Sequence, residues 1–306
     1  GRAASFDGNV AANWIACRRQ WFDRWLKPDA PKNAAGPRVR LFLMGGGSGR
    51  KTAAGKLDHG GRWLGATDWP LPNAQSRSYY LEPEGRLALA APTIADARAD
   101  YDFDPRDPVP TIGGALTSGE PVFEGGAFDQ REDGRFFGCT HPGLPLAARH
   151  DVLAFETAPL AEDVAVIGPI TVDLWVSSSA TDTDFTAKLI DVHPPSADYP
   201  AGFAMNITDG IFRCRYRSGW DHPTPIVPGE PFRITIEPFA TANLFKAGHR
   251  IRLDISSSNF PKFDVNPNTG GPEGRGRAAD VARNSVYMDA ARPSRLVLPV
   301  VNVSNE

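Results

Sequence analysis

The chain has 306 residues, enough for one large or two ordinary domains with real cores, and 41% of them are hydrophobic, the ordinary share for a folded protein. A formal net charge of -3 gives no global field to attract nucleic acid or an anionic membrane, and no stretch reaches the ~18 apolar residues of a spanning helix. The 30 glycines and 28 prolines favour many short strands joined by turns over a helical bundle or disorder. In chain order, Val10, Trp14, Cys17, Trp21 and Trp25 recur at steps of three and four, which predicts a helix over 9–27. Asp7 is its expected N-cap and Pro28 its stop, and the tryptophan stripe reads as a face docked on a sheet. Val39–Met44 reads as a strand running into a Gly-rich turn. From about Tyr79 onward, short runs alternate apolar and polar residues. In Ile170–Val176, for instance, Ile170, Val172, Leu174 and Val176 point one way and Thr171, Asp173 and Trp175 the other. The same pattern recurs at Phe185–Val192, Ile211–Arg217, Phe232–Ile236, Ile251–Ile255 and Leu296–Val300. The fold class expected is mostly β, a two-sheet sandwich of jelly-roll type.

The motifs that carry chemistry elsewhere are imperfect here. Laid on Gly45, the phosphate-binding pattern G-x-x-x-x-G-K-[ST] finds Lys51 and Thr52 but puts Arg50 where the last glycine belongs. No apolar helical repeat follows it, so the turn is not read as a phosphate cradle. The run Asp100, Asp102, Asp104 starts like a calcium loop, but Pro105 and Thr111 stand where an EF-hand needs glycine and glutamate. Arg213, Arg215 and Arg217 alternate and are expected to share a strand face, paired with Asp182, Asp184 and Asp191. His249 before a strand offers a general base, but a turn histidine bonded to backbone is the plainer expectation. No G-x-S-x-G occurs, and Ser48 in GGSGR comes nearest to it. Cys17, Cys139 and Cys214 are odd in number and far apart, which provides neither a disulfide framework nor a C-x-x-C knuckle and favours a reducing, cytoplasmic compartment. No metal ligand and no cofactor is assigned.

Ten stretches in order, RRQWFDRWLK, LFLMGGGSGR, ATDWPLP, YDFDPRDPVPTIGG, FDQREDGR, RHDVLAFETAPL, SSSATDTDFTAKLIDVHP, DGIFRCRYR, AGHRIRLDISSSNFP and NPNTGG, resemble the cocaine-esterase-like, or CocE/NonD, serine hydrolases. That group is related to X-Pro dipeptidyl-peptidases, glutaryl acylases and α-amino acid ester hydrolases. The resemblance implies an α/β-hydrolase domain with a Ser-Asp-His triad, a helical cap, and a C-terminal, galactose-binding-like jelly roll. Against it, residues 1–78 correspond to the terminal helix and strand of an incomplete hydrolase domain and residues 79–306 to the jelly roll. All three triad positions of the family lie upstream of the Trp21–Trp25 helix, so no catalytic residue is assigned in this chain, and the chain by itself is expected to be inactive.

The loop Gly113, Gly114, Ala115, Leu116 and Thr117 matches one that approaches the acyl pocket in relatives; as a bare sequence it reads equally as a turn. The partners implied are a small ester, amide or short-peptide substrate and an upstream catalytic domain. Oligomeric state stays open, homo-oligomer included. The competing expectation is a stand-alone ligand- or carbohydrate-binding jelly-roll module.

Overall fold

The structure is a computed structural model that describes residues 3–6, 14–29, 36–115, 124–272 and 278–303. Among these the chain forms one α-helix, α1 (Trp14–Leu26), and strands β1 (Ala4–Ser5), β2 (Val39–Gly45), β3 (Leu57–Asp58), β4 (Gly61–Ala66), β5 (Gln75–Glu82), β6 (Arg86–Ala88), β7 (Arg98–Phe103) and β8 (Leu153–Glu156). There follow β9 (Val164–Gly168), β10 (Thr171–Ser178), β11 (Asp184–His193), β12 (Phe203–Arg213), β13 (Phe232–Ile236), β14 (Thr241–Phe245), β15 (Arg250–Ser256), β16 (Ala282–Tyr287) and β17 (Arg295–Val301). The molecule is mostly β, as the alternation predicts, and its main sheet is curled.

The curl pivots on β17, which pairs with β5 along most of its length, with β10 at its start (Arg295–Val297) and with β9 at its end (Val300–Val301). One path runs through β5, β6, β8, β15 and β11 to β12, and another through β10 to β13 and to β16 and β7. Between them lies the main core, where Val172, Leu174 and Val176 of β10 meet Phe185, Ala187 and Leu189 of β11 and Ile251, Leu253 and Ile255 of β15. Phe103, Phe185 and Phe245 are fully buried, and each such side chain stabilises the fold by ~1.5–3 kcal/mol relative to exposure. The β2–β4 hairpin joins the same sheet because β2 lies parallel to β14, Asn243 opposite Met44. Leu43, Ile167 and Val301 form a satellite cluster there, and Leu41, Leu64 and Leu71 pack against it.

Three expectations change. The helix forms at 14–26, ends before Pro28, and is not docked: Ile15, Trp21, Phe22, Trp25 and Leu26 are all exposed. A periodic stripe records that one face is apolar, not what covers it. Residues 9–13 of the predicted helix and the N-cap Asp7 lie outside the described residues.

The arginines do not share a strand face either, since β12 ends at Arg213 and residues 214–216 tighten into a 3-10 turn that buries Cys214. Arg213 still pairs with Asp184 at 2.9 Å and Arg215 with Asp182 at 2.7 Å, but Arg217 caps the carbonyls of Thr224 and Pro225, and Asp191 joins neither. The carboxylates of Asp100 and Asp104 are taken by Arg98, Arg283 and Arg106. Cys17, Cys139 and Cys214 are free thiols, and no helix among the described residues is long and apolar enough to cross a membrane.

Candidate functional site

Two places concentrate chemistry. The first lies under the loop that the sequence singles out. Gly113 has φ +68°, and a Cβ there would sit 2.4 Å from the Gly126 carbonyl oxygen, so the position needs glycine both for its backbone and for space. Gly114 exchanges two hydrogen bonds with Gly126, donating at 2.7 Å and accepting at 2.9 Å. A Cβ on Gly114 would come within about 4 Å of the side chains of Asn206, Asp209 and Lys262, which places the loop over a polar cluster. There Lys262 is paired with Asp209, Asn259 donates to Asp209 at 2.7 Å, and the buried Lys188 donates to Gln130 at 2.9 Å. Burial pushes the Lys188 ammonium down from its usual range, and the nearby Asp209 and Asp254 carboxylates counter this. Ala115 is exposed at the loop edge, while Leu116 and Thr117 lie outside the described residues.

The second place is one that sequence reasoning missed. β11 carries Asp191 and His193 two residues apart, hence on one face, and its antiparallel register with β15 sets Asp191 opposite Ile251 and Val192 opposite Arg250. The next step of that register brings His193 beside His249, with ring centroids 4.2 Å apart. The connection between β3 and β4 supplies the third histidine, held against the Gly-rich turn after β2. Gly47 donates to the His59 carbonyl at 2.8 Å, while the N–H groups of His59 and Gly60 donate to Ser5, so the backbone around His59 is held from both sides. Gly47 and Gly60 touch backbone to backbone, where a Cβ on either would lie 2.5 Å from the other's nitrogen. The turn therefore serves close approach, and β3 and β4 follow it in place of the helix a phosphate loop would need.

His59, Asp191, His193, His249 and Asn243 are all buried. His249 donates from Nδ1 to Asp191 Oδ1 at 2.8 Å, and Asn243 donates to Asp191 Oδ2 at 3.2 Å. His59 donates from Nε2 to Asn243 Oδ1 at 2.9 Å, which leaves its Nδ1 as the lone-pair nitrogen of a neutral ring. Burial pushes the His59 imidazole below its usual range and the His193 imidazole down to about 3, against the pull of Asp191, so both are neutral at pH 7. Burial opposes the charge of Asp191, but the hydrogen bond from His249 prevails and its carboxyl lies below the usual range. His249 is thus bonded through its ring to a carboxylate, not only through its backbone as expected. The signal that could have exposed the cluster is D-x-H on one strand face, opposite the H of the next strand.

The molecule is a curled, mostly β domain. Its sequence matches the family model described as the X-Pro dipeptidyl-peptidase C-terminal non-catalytic domain over residues 32–297. Cocaine esterase of Rhodococcus sp. (strain MB1 Bresler) is 37% identical over 316 aligned residues, covering 98% of this chain and 49% of that protein. Among solved structures, an aminopeptidase from a marine sediment Thaumarchaeota archaeon superposes with TM-score 0.74 at 27% identity, covering 97% of this chain and 46% of that one. An α-amino acid ester hydrolase gives TM-score 0.70 at 28% identity over 92% and 44%. The chain belongs to the X-Pro dipeptidyl-peptidase C-terminal non-catalytic domain family, and its sequence is similar to that of cocaine esterase. It spans about half the length of the cocaine esterase it matches.

Proposed function

We propose that this chain is the C-terminal part of a serine acyl hydrolase of esterase, acylase or dipeptidyl-peptidase type. Residues 1–78 would be the C-terminal remnant of its α/β-hydrolase domain, whose catalytic part lies upstream, and residues 79–306, a jelly roll, would pack on it. The observation that carries this is the match to a non-catalytic C-terminal domain together with the 37% identity to an esterase across the chain. The uncovered aromatic face of α1 supports it, because Trp21, Phe22 and Trp25 side by side form an apolar patch that a catalytic domain would cover. In the assembled enzyme, a histidine-activated serine attacks the ester or amide carbonyl, oriented donors hold the oxyanion, and water releases the acyl group. The cytoplasmic assignment belongs to the same proposal and leans on three unpaired thiols.

A fluorophosphonate serine probe is expected to leave these 306 residues unlabelled and to label one serine of the preceding domain in the longer protein. Stoichiometric labelling inside this chain would overturn the assignment. We further place Gly113–Thr117 at the acyl pocket, supported by the exposed Ala115 next to two conformationally required glycines. In the longer enzyme Ala115→Trp is expected to raise KM for bulky acyl esters about tenfold, the effect of ~1.4 kcal/mol, while the melting temperature stays unchanged. Equal kinetics for small and bulky acyl groups would remove the loop from the pocket.

A further inference from the structure

We propose that His59, Asp191 and His193 form a binding site for one divalent transition-metal ion, with zinc the ion their donor set suits best. The ligand atoms these three residues offer lie within 4.8 Å of one another, and all three residues are buried. Donors around a tetrahedral zinc at ~2.1 Å sit roughly 3.4 Å apart, so the cluster closes on an ion through side-chain shifts of about 1 Å.

An independent observation points to a missing partner. His59 Nδ1 and His193 Nε2 are buried with no hydrogen-bond partner among the described residues. Two orphaned imidazole nitrogens beside one carboxylate are costly in a dry site, at ~1–3 kcal/mol for each unsatisfied group, unless something accepts their lone pairs. They are also what a borderline-soft cation takes, whereas calcium and magnesium prefer oxygen sets.

The surroundings are those of a prepared site. Asn243 accepts the His59 Nε2 proton and so leaves Nδ1 to the metal, in the way outer groups fix the tautomer of ligating histidines. His249 and Asn243 each donate to one oxygen of Asp191 and orient it, and a carboxylate keeps further lone pairs for a cation. The ion would staple the β3–β4 connection, which carries His59, to β11 at the end that carries His193. This inference is independent of the hydrolase assignment, since it uses no catalytic residue.

The test uses the chain stripped with a chelator, equilibrated with Zn²⁺, desalted and assayed for metal. We expect one zinc per chain, a melting temperature raised by about 5 °C at a hundredfold excess over Kd, and visible d–d absorption when Co²⁺ replaces zinc. His193→Gln should lose retention and the cobalt bands, while His222→Gln, at an exposed position, should keep both. Where His193→Gln fails to fold, ring resonances of the wild-type histidines decide: Zn²⁺ should move those of His59 and His193 and leave those of His141, His150 and His222. No retained ion in the wild-type chain, undiminished retention in folded His193→Gln, or shifts confined to the other three histidines would each overturn the proposal.

Discussion

Asp182→Ala is expected to destabilise the fold by ~3–5 kcal/mol, the cost of removing one partner from a buried ion pair. Asp182 is fully buried and accepts four donors. These are the Arg215 backbone N–H at 3.0 Å, its Nε and Nη2 each at 2.7 Å, and Asn266 Nδ2 at 2.8 Å. Truncation leaves the mostly buried Arg215 guanidinium held by the Gly271 carbonyl, and Asn266 by its remaining contact with Asp184. The loss therefore contains a stranded charge as well as missing hydrogen bonds. Asp264→Ala is the matched control, because Asp264 also touches an arginine, Arg213 at 3.0 Å, but is 81% exposed. An exposed partner of this kind is worth ~0–1 kcal/mol. Urea unfolding of both variants separates the two cases, and an equal cost for Asp182→Ala and Asp264→Ala would show that burial of the pair contributes nothing.

Gly47→Ala is expected to cost ~2–4 kcal/mol, overpacking plus a broken turn hydrogen bond. A Cβ at Gly47 would lie 2.5 Å from Gly60 N, 2.5 Å from the His59 carbonyl carbon and 2.6 Å from Asp58 O. All three are backbone atoms, so no side-chain rotation relieves the clash, and the turn must open where Gly47 bonds His59. Gly55→Ala isolates the other reason for glycine: its φ is +74° but nothing lies within 4 Å, so only conformational strain of ~1 kcal/mol remains. Thermal or urea unfolding should rank Gly47→Ala well below Gly55→Ala, and the reverse order would mean that the 46–60 turn is looser than its contacts imply.

The strands were legible because their signal is local. Ile170, Val172, Leu174 and Val176 are all buried, as a period of two requires of a strand with one face on the core. Phe232–Ile236 matches β13 residue for residue. The pairing of Arg213 and Arg215 with Asp184 and Asp182 was also legible, since opposite charges without a wider positive field seek one another. The shape that delivers them was not, because a strand's end is set by the 3-10 turn at 214–216 and not by alternation. The amphipathic stripe of α1 was visible too, but whether a stripe is covered depends on what packs against it.

What the sequence by itself determined, then, is the mostly β class, the family and the absence of a nucleophile elbow, all of which rest on short-range pattern. Only the tertiary structure decided where the histidines meet. His59 lies between β3 and β4, Asp191 and His193 on β11, Asn243 on β14 and His249 before β15, and beyond the Asp191–His193 pair no spacing rule links them. Strand register and the glycine-to-glycine contact of the turn bring them together, and both are set by how whole strands bury their apolar faces.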